Sequence, residues 1–398
     1  MYRVCKNMII IEMNILQKRA KINNLVMYKL KCKSWPVKEL FLDQLSIANY
    51  RNLTGIDFSL DRNINCFVGN NGVGKTNVLD AIYFLAMGKS YSNSITSQNI
   101  SHQANFSMIE GVFDKSEKNL RIQCHFEREG KKTIKRNRKA YKKIADHVGL
   151  IPIVVISPTD RDLISEGSSV RRKFLDRTIS QSNKSYLQNL LAYQRTLNQR
   201  NALLKHFASS NQFDKDTLSV FNEKLVQFGQ PIHQARKEFV EDFQPLFHDR
   251  YQFISGDKEI VSISYESKLD EKPFIDLLEE SLQKDRILQY TSIGPHKDDL
   301  RFQISDFPIK KFGSQGQQKT FLIALKLAQF DVIRNLMNVL PILLLDDIFD
   351  KLDDRRVMQI INLVNDDSFG QLFVTDTNKE RTENMIKQTA QSYSIFSL

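Results

Sequence analysis

The rhythm of apolar and polar positions divides the 398 residues into four stretches. Residues 1–38 have neither a helical nor a strand period and no turn chemistry. They are expected to be an extension, either disordered or preceding the true start. Ordered structure is expected from Leu40. LFLDQLSIANYRNL alternates in part and predicts a strand, and a second strand follows at Ile56 to Leu60. Ile64 to Val68 reads as a short buried strand before a glycine-rich loop. Val78, Leu79, Ile82, Phe84, Leu85 and Ala86 then recur on helical spacing over Lys75 to Met87. Residues 108–126 and 131–145 predict strands joined by turns, with Asn137 at a hairpin tip, and Ile151 to Ile156 is a β run.

The texture changes after Pro158. From Val170 to about Gln289 the chain is rich in Leu, Gln, Lys and Phe at 3.6 spacing. This predicts helices over 170–208 and 216–247, interrupted by a strand-like piece near Ile260 to Tyr265. Strands return at Leu300 to Ile304, Pro341 to Leu345 and Gln371 to Thr375, with a helix at Gly316 to Met337 between the first two. The expected fold class is α/β. Both ends of the chain, residues 40–160 and 290–398, form one lobe, and a mainly helical lobe at 161–289 is inserted between them. No internal repeat is visible.

Composition narrows the picture little: 41% hydrophobic and 26% charged residues are ordinary for a soluble chain. No apolar run is long enough to cross a bilayer, and no membrane association is expected. Cys5, Cys32, Cys66 and Cys124 share no metal-like spacing, which suits a reduced cytoplasmic setting. Charge is more informative by where it sits. Of the net +11, residues 1–38 carry +8, nine Lys and Arg against Glu12, and the remaining residues only +3. The total therefore says little about the folded body. One basic cluster lies within it: residues 128–143 (REGKKTIKRNRKAYKK) hold nine Lys and Arg and one Glu.

The strongest chemical signal is GNNGVGKT at Gly69, Asn70, Asn71, Gly72, Val73, Gly74, Lys75 and Thr76. It fits the Walker A pattern at every fixed position and lies between a predicted strand and helix. Glycines let backbone N–H groups converge on phosphate oxygens, and the helix directs its positive end at them. Lys75 is expected on the β- and γ-phosphates of ATP and Thr76 on Mg2+. PILLLDDIFD supplies the matching Walker B strand. Asp346 at its end would face the metal, and Asp347 would orient or deprotonate the attacking water. Taken alone, the Asp pair could equally cap a buried strand.

GSQGQQK at Gly313 to Lys319 places Ser314, Gly316 and Gln317 before a long helix, a second helix N-terminus suited to phosphate. One site cannot use both N-termini if they lie far apart in one lobe. The economical solution is a dimer in which Ser314 and Gly316 of one subunit close on the γ-phosphate held by the other. Leu352-Asp353 follows Asp346 at the spacing of a dimer-contacting loop. The plain alternative is a helix N-cap by Ser314.

The order Walker A, SxGQ signature, Walker B and Leu-Asp loop resembles the ABC-type P-loop ATPase heads of the SMC superfamily. Four further stretches resemble the RecF family of bacterial recombination mediators: IANYRNL at 47–53, ISPTDRDLISEGSSVRRKFLD at 156–176, TSIGPHKDDLRF at 291–302 and GSQGQQKTFLIALKLAQ at 313–329. The likeness covers about residues 40 to 398, and the extension has no counterpart in it. The roughly 120 residues between the head's halves are too few for a coiled-coil arm with a hinge. The resemblance implies a protein of DNA replication, repair and the SOS response. Such a protein binds duplex and gapped DNA without sequence preference, forms a homodimer on ATP, and works with RecR and RecO to load RecA. It also implies that Ser314, Gly316 and Gln317 act in trans, and that Arg51 reaches the nucleotide.

Departures are visible too. Asp347 stands where ABC transporters carry Glu, and the shorter side chain implies slow hydrolysis suited to a timing switch; the resemblance implies a weak, DNA-stimulated ATPase. Thr375 and Asp376 replace the transporters' sensor His, and no Gln-loop glutamine is evident. Tyr91-Ser92 stands where the family commonly has His-Arg. Two other readings stay open: the ATPase subunit of another ABC system, and an ATP-dependent nuclease of the overcoming-lysogenization-defect type. The helical lobe and GPHKDDL weigh against the first, and the lack of a spare acidic cluster after Walker B weighs against the second. His296 with Asp298 or Asp299 could form a metal or catalytic dyad, or simply a structural turn.

Overall fold

The computed structural model describes residues 38–93, 95–116, 118–256, 259–347, 369–389 and 391–398. The expectations for the extension, Lys38 apart, and for Leu352-Asp353 lie outside the described residues. The first half runs β1 Leu40–Tyr50, β2 Leu53–Ser59, β3 Ile64–Val68, α1 Lys75–Met87, β4 Phe106–Lys115, β5 Lys118–Glu127, β6 Thr133–Arg136, β7 Lys139–Ala140 and β8 Ile153–Ile156. Helices α2 Ser168–Ser182, α3 Lys184–Ser210 and α4 Lys215–Ser255 follow, then β9 Val261–Glu266, α5 Phe274–Glu280 and α6 Leu282–Leu288. The last part comprises β10 Asp299–Ile304, β11 Phe307–Pro308, α7 Gln315–Met337, β12 Ile342–Leu345, β13 Leu372–Asp376, α8 Lys379–Ile386 and β14 Tyr393–Ser397.

A five-stranded parallel sheet in the order β14-β3-β13-β12-β8 organises the site. Strands from both ends of the chain contribute to it, with β13 and β12 of the last part side by side. Its central strands are apolar on both faces because both faces are covered. Ile64, Cys66, Val154, Ile156, Leu343, Leu345, Leu372 and Val374 join a cluster with residues of α2, α4 and α7. The intervening Phe67, Ile153, Val155, Ile342, Leu344 and Phe373 join a second cluster with α1 and the antiparallel strands. The parallel register pairs Asp376 with Val68, Val374 with Leu345, and Leu345 with Ile156. The ends of β3 and β12 therefore open at the same edge, where ligands of open parallel sheets bind.

The six-stranded antiparallel sheet β2-β1-β4-β5-β6-β7 packs against α1. Its strands alternate buried and exposed positions, as one-sided burial demands. Helix α1 is buried almost all round because a sheet lies on each side of it.

The helical stretch differs from its sequence reading in two places. The expected helix over 170–208 breaks at Asn183, whose side chain accepts from Tyr186 N (2.9 Å) and caps α3. Helix α4, by contrast, runs on to Ser255 through Pro231 and Pro245. Each proline forfeits an N–H donor, and aromatic packing offsets the loss: Phe243 packs on Phe174 and Phe239, and Phe247 on Phe321 of α7 (4.6 Å between ring centres). Strands β11-β10-β9 form a small third sheet.

Candidate phosphate and metal site

Between Val68 and Lys75 the backbone turns through conformations that need glycine. Gly72 and Gly74 have φ of 86° and 116°. A Cβ on Gly74 would lie 2.7 Å from Leu53 Cδ2 and 2.9 Å from Asn52 Oδ1. Lys75 is buried, and its Nζ donates to Gly69 O (2.7 Å) and Asn70 O (2.9 Å), so the ammonium lies curled within the loop. Asn70, Asn71 and Gly72 are exposed and Val73 half-buried. No side chain caps the start of α1. Its first N–H groups thus remain available to an anion.

The fold brings Thr76 and Asp346 together across 270 residues: Thr76 Oγ1 donates to Asp346 Oδ1 at 2.8 Å. Thr375 Oγ1 donates to the same oxygen (2.9 Å) and accepts from Asp347 N (2.9 Å). Tyr91 Oη donates to the other oxygen, Oδ2, at 3.0 Å. Asp346 is only 4% exposed, so these three donors satisfy a carboxylate removed from bulk water. Burial, then the Asp346 charge, raises the Tyr91 pKa and keeps its phenol a donor. Asp347 takes a positive φ of 49° directly after the strand. A hydroxyl and a carboxylate side by side are hard oxygen donors, the chemistry Mg2+ requires.

Arg51 has a structural engagement that its sequence context did not reveal. Its guanidinium pairs with the fully buried Asp80 of α1 (2.7 Å) and donates to Asn77 (2.9 Å), Ser92 (2.6 Å) and Asn99. Asp80 also accepts from Tyr50 Oη (2.7 Å), Ser90 Oγ (2.8 Å) and Tyr91 N (2.9 Å). Contact of Arg51 with a nucleotide would require it to exchange these partners. Asn52, next in sequence, braces the phosphate loop by donating to Gly72 O (3.0 Å) and accepting from Asn77 (2.6 Å). Asn52, Asp80 and Tyr91 were not among the residues expected at the site. The carboxylate of Asp80 inside the apolar run of α1 is the signal that could have found it, since a buried charge needs a partner.

At the start of α7, Ser314 forms a reciprocal capping box. Its Oγ accepts from Gln317 N (3.2 Å), and Gln317 Oε1 accepts from Ser314 N (2.6 Å). Gln317 Nε2 also donates to Glu259 (2.6 Å). Ser314 is exposed, and Gly316 and Gln317 are half-buried.

His296 is a structural residue. Its Nδ1 meets Tyr193 Oη (2.7 Å) and its Nε2 meets Thr291 O (2.9 Å). Burial lowers its pKa to about 4, so the ring is neutral near pH 7. Asp299 takes a two-pronged bond from Arg171 (2.7 and 2.8 Å), and Asp298 pairs with the buried Arg236 (3.3 Å). Among the described residues no group of three or more His, Cys, Asp or Glu could hold a metal.

The basic cluster folds as predicted around Asn137, with Asn137 and Arg138 at positive φ (48° and 72°) between β6 and β7. Arg128 is tied to Ser101 O (2.9 Å) and Lys132 to Gly88 O (2.8 Å). Lys131, Arg136, Arg138, Lys139, Lys142 and Lys143 are exposed. No helix among the described residues is long and apolar enough to cross a membrane.

A phosphate loop and an acidic strand end at one edge of a parallel sheet, an antiparallel sheet behind α1, and a capped serine-glycine helix start together define an ABC-type P-loop ATPase head. The fold is similar to an Smc head bound to the C-winged helix domain of ScpA (TM-score 0.53, 16% identity, 90% of this chain and 93% of that one). The family model for the RecF/RecN/SMC N terminal domain matches residues 41–397. The DNA replication and repair protein RecF of Flavobacterium johnsoniae is 55% identical over 359 residues, 90% of this chain and all of that one. A solved structure of the recombination mediator protein RecF-ATP in the RecFOR pathway superposes with a TM-score of 0.81 at 30% identity, covering 87% of this chain and 94% of that one. The chain belongs to the RecF family.

Proposed function

We propose that this chain is an ATP-switched DNA-binding recombination mediator of the cytoplasm. In this reading Gly69 to Thr76 bind the phosphates of ATP, and Thr76 and Asp346 hold Mg2+. The metal would neutralise charge on the β- and γ-phosphates. Asp347 orients the attacking water, and its short side chain keeps hydrolysis slow enough to time a switch. Ser314, Gly316 and Gln317 of one subunit close on the γ-phosphate bound by its partner, making an ATP-dependent homodimer. Residues 40–160 and 290–398 act as the ATPase lobe and 161–289 as the helical lobe. The hairpin at 128–143 is one contact to duplex or gapped DNA. RecR and RecO are the proposed partners, and loading of RecA the outcome.

The observation that carries this reading is the 2.8 Å contact between Thr76 and Asp346, which joins the phosphate loop to the acidic strand end. Support from relatives comes from RecF solved with ATP and described as a recombination mediator. The test is DNA affinity by fluorescence anisotropy on gapped duplex, with ATP, with ADP and without nucleotide. ATP should tighten binding, and Asp347→Asn should prolong the bound state by slowing hydrolysis while Asp346 still holds the metal. Equal affinity in all three nucleotide conditions would contradict the switch.

A further inference from the structure

Asp346 receives one contact that neither the phosphate loop nor the parallel sheet supplies. Thr76 and Thr375 both donate to Oδ1, whereas Oδ2 is held by Tyr91, 255 residues away in sequence. The terminal torsion of Asp is broad, so the carboxylate's orientation is set by its partners: two donors hold the Oδ1 side and Tyr91 alone holds the Oδ2 side.

Tyr91 is itself held on three sides. Its N–H donates to Asp80 Oδ1 (2.9 Å), and its ring meets Tyr83 edge-on with centres 5.5 Å apart. The following Ser92 accepts from Arg51 (2.6 Å), which pairs with Asp80. A chain of contacts therefore runs from Arg51 in the β1–β2 turn to Asp80, from Asp80 to the Tyr91 backbone, and from the Tyr91 hydroxyl to Asp346.

We propose that Tyr91 is a positioning residue for the metal: its hydroxyl sets the orientation in which Asp346 meets Mg2+, and the Arg51–Asp80 pair holds Tyr91 there. This rests on the reading that Asp346 holds the metal. Partners that orient a metal-ligating carboxylate typically change metal affinity by about 10–100-fold when removed.

Tyr91→Phe is the test variant, because it keeps the ring and deletes the one donor. A smaller side chain would enlarge the cavity of about 250 Å3 that the ring borders together with Phe174, Arg177 and Lys326. ATP binding is titrated by calorimetry over a range of free Mg2+ and in EDTA, for parent and variant. The variant should need about tenfold more Mg2+ for the half-maximal gain in ATP affinity, with its affinity in EDTA unchanged. A parental Mg2+ requirement in the variant would overturn the proposal and leave the Asp346 reading intact. Equal weakening with and without Mg2+ would also overturn it, by assigning Tyr91 to packing. A parent whose ATP affinity ignores Mg2+ would remove the Asp346 reading, and this proposal with it.

Discussion

Helices α1 and α7 both begin beside glycine, yet their first turns are finished in opposite ways. Helix α1 follows Gly74 at φ 116° and has no side-chain cap, while Lys75 folds back onto the loop carbonyls. Helix α7 follows Ser314 at an ordinary φ of −60° and closes its first turn with a reciprocal Ser–Gln box. A helix start left uncapped within the fold keeps free donors aimed at an anion. A helix start that caps itself is stable alone, and can give up its cap only when something better arrives. The difference suits a site that binds phosphate first at α1 and engages α7 of a second subunit afterwards.

The largest effect is expected at Lys75. Lys75→Met keeps the stem and removes the cation, so ATP affinity should fall at least about 100-fold, since charge-assisted bonds are the strong ones, with the fold intact. Calorimetry of ATP binding and a thermal scan check both halves. Gly74→Ala should come next. It forces a side chain into positive φ and against Leu53 and Asn52, a strain of about 1–3 kcal/mol, read as weaker ATP binding and a lower thermal midpoint.

At α7 the effects should separate. In the single chain without nucleotide, Ser314→Ala removes the cap, at a cost of about 1 kcal/mol, visible in denaturant unfolding. Ser314→Arg should leave ATP binding by the single chain intact while blocking association, because the cation would sit where the partner's phosphate docks. Loss of ATP affinity in Ser314→Arg would mean that α7 acts within its own chain. The smallest effect on the nucleotide site is expected at the hairpin. Replacing Lys135, Arg136, Arg138 and Lys139 with Ser should reduce the slope of log affinity against log salt by up to about 3–4, without changing ATP affinity. An unchanged slope would leave the cluster as solvated surface.

The contrast between α1 and α7 was partly legible in the chain itself. Runs such as INCFV and ILLLD announce strands covered on both faces, and the glycine spacing announces the loop that follows β3. Periodicity could not reveal the break at Asn183, because the residues around it keep helical spacing and only a side chain turning back on the backbone ends the helix. Nor could it carry α4 through Pro231 and Pro245, where packing from distant Phe174 and Phe321 decides. At the site, motif residues were visible because their roles are local to a loop or a strand end. Asn52, Asp80 and Tyr91 act through partners 11 to 255 residues away, and no spacing rule encodes such pairings. Arg51 is the instructive case: its motif marked it as important, and the structure engages it with Asp80.

In the proposed switch, two helix starts from different subunits meet at one nucleotide. Its most direct test is the mass of the purified 46.3 kDa chain by light scattering, at micromolar protein, with and without saturating ATP and Mg2+. The switch should show one chain mass without nucleotide and about twice that mass with ATP, reverting with ADP and absent in Ser314→Arg. A single-chain mass at saturating ATP, with binding confirmed by calorimetry on the same sample, would contradict it.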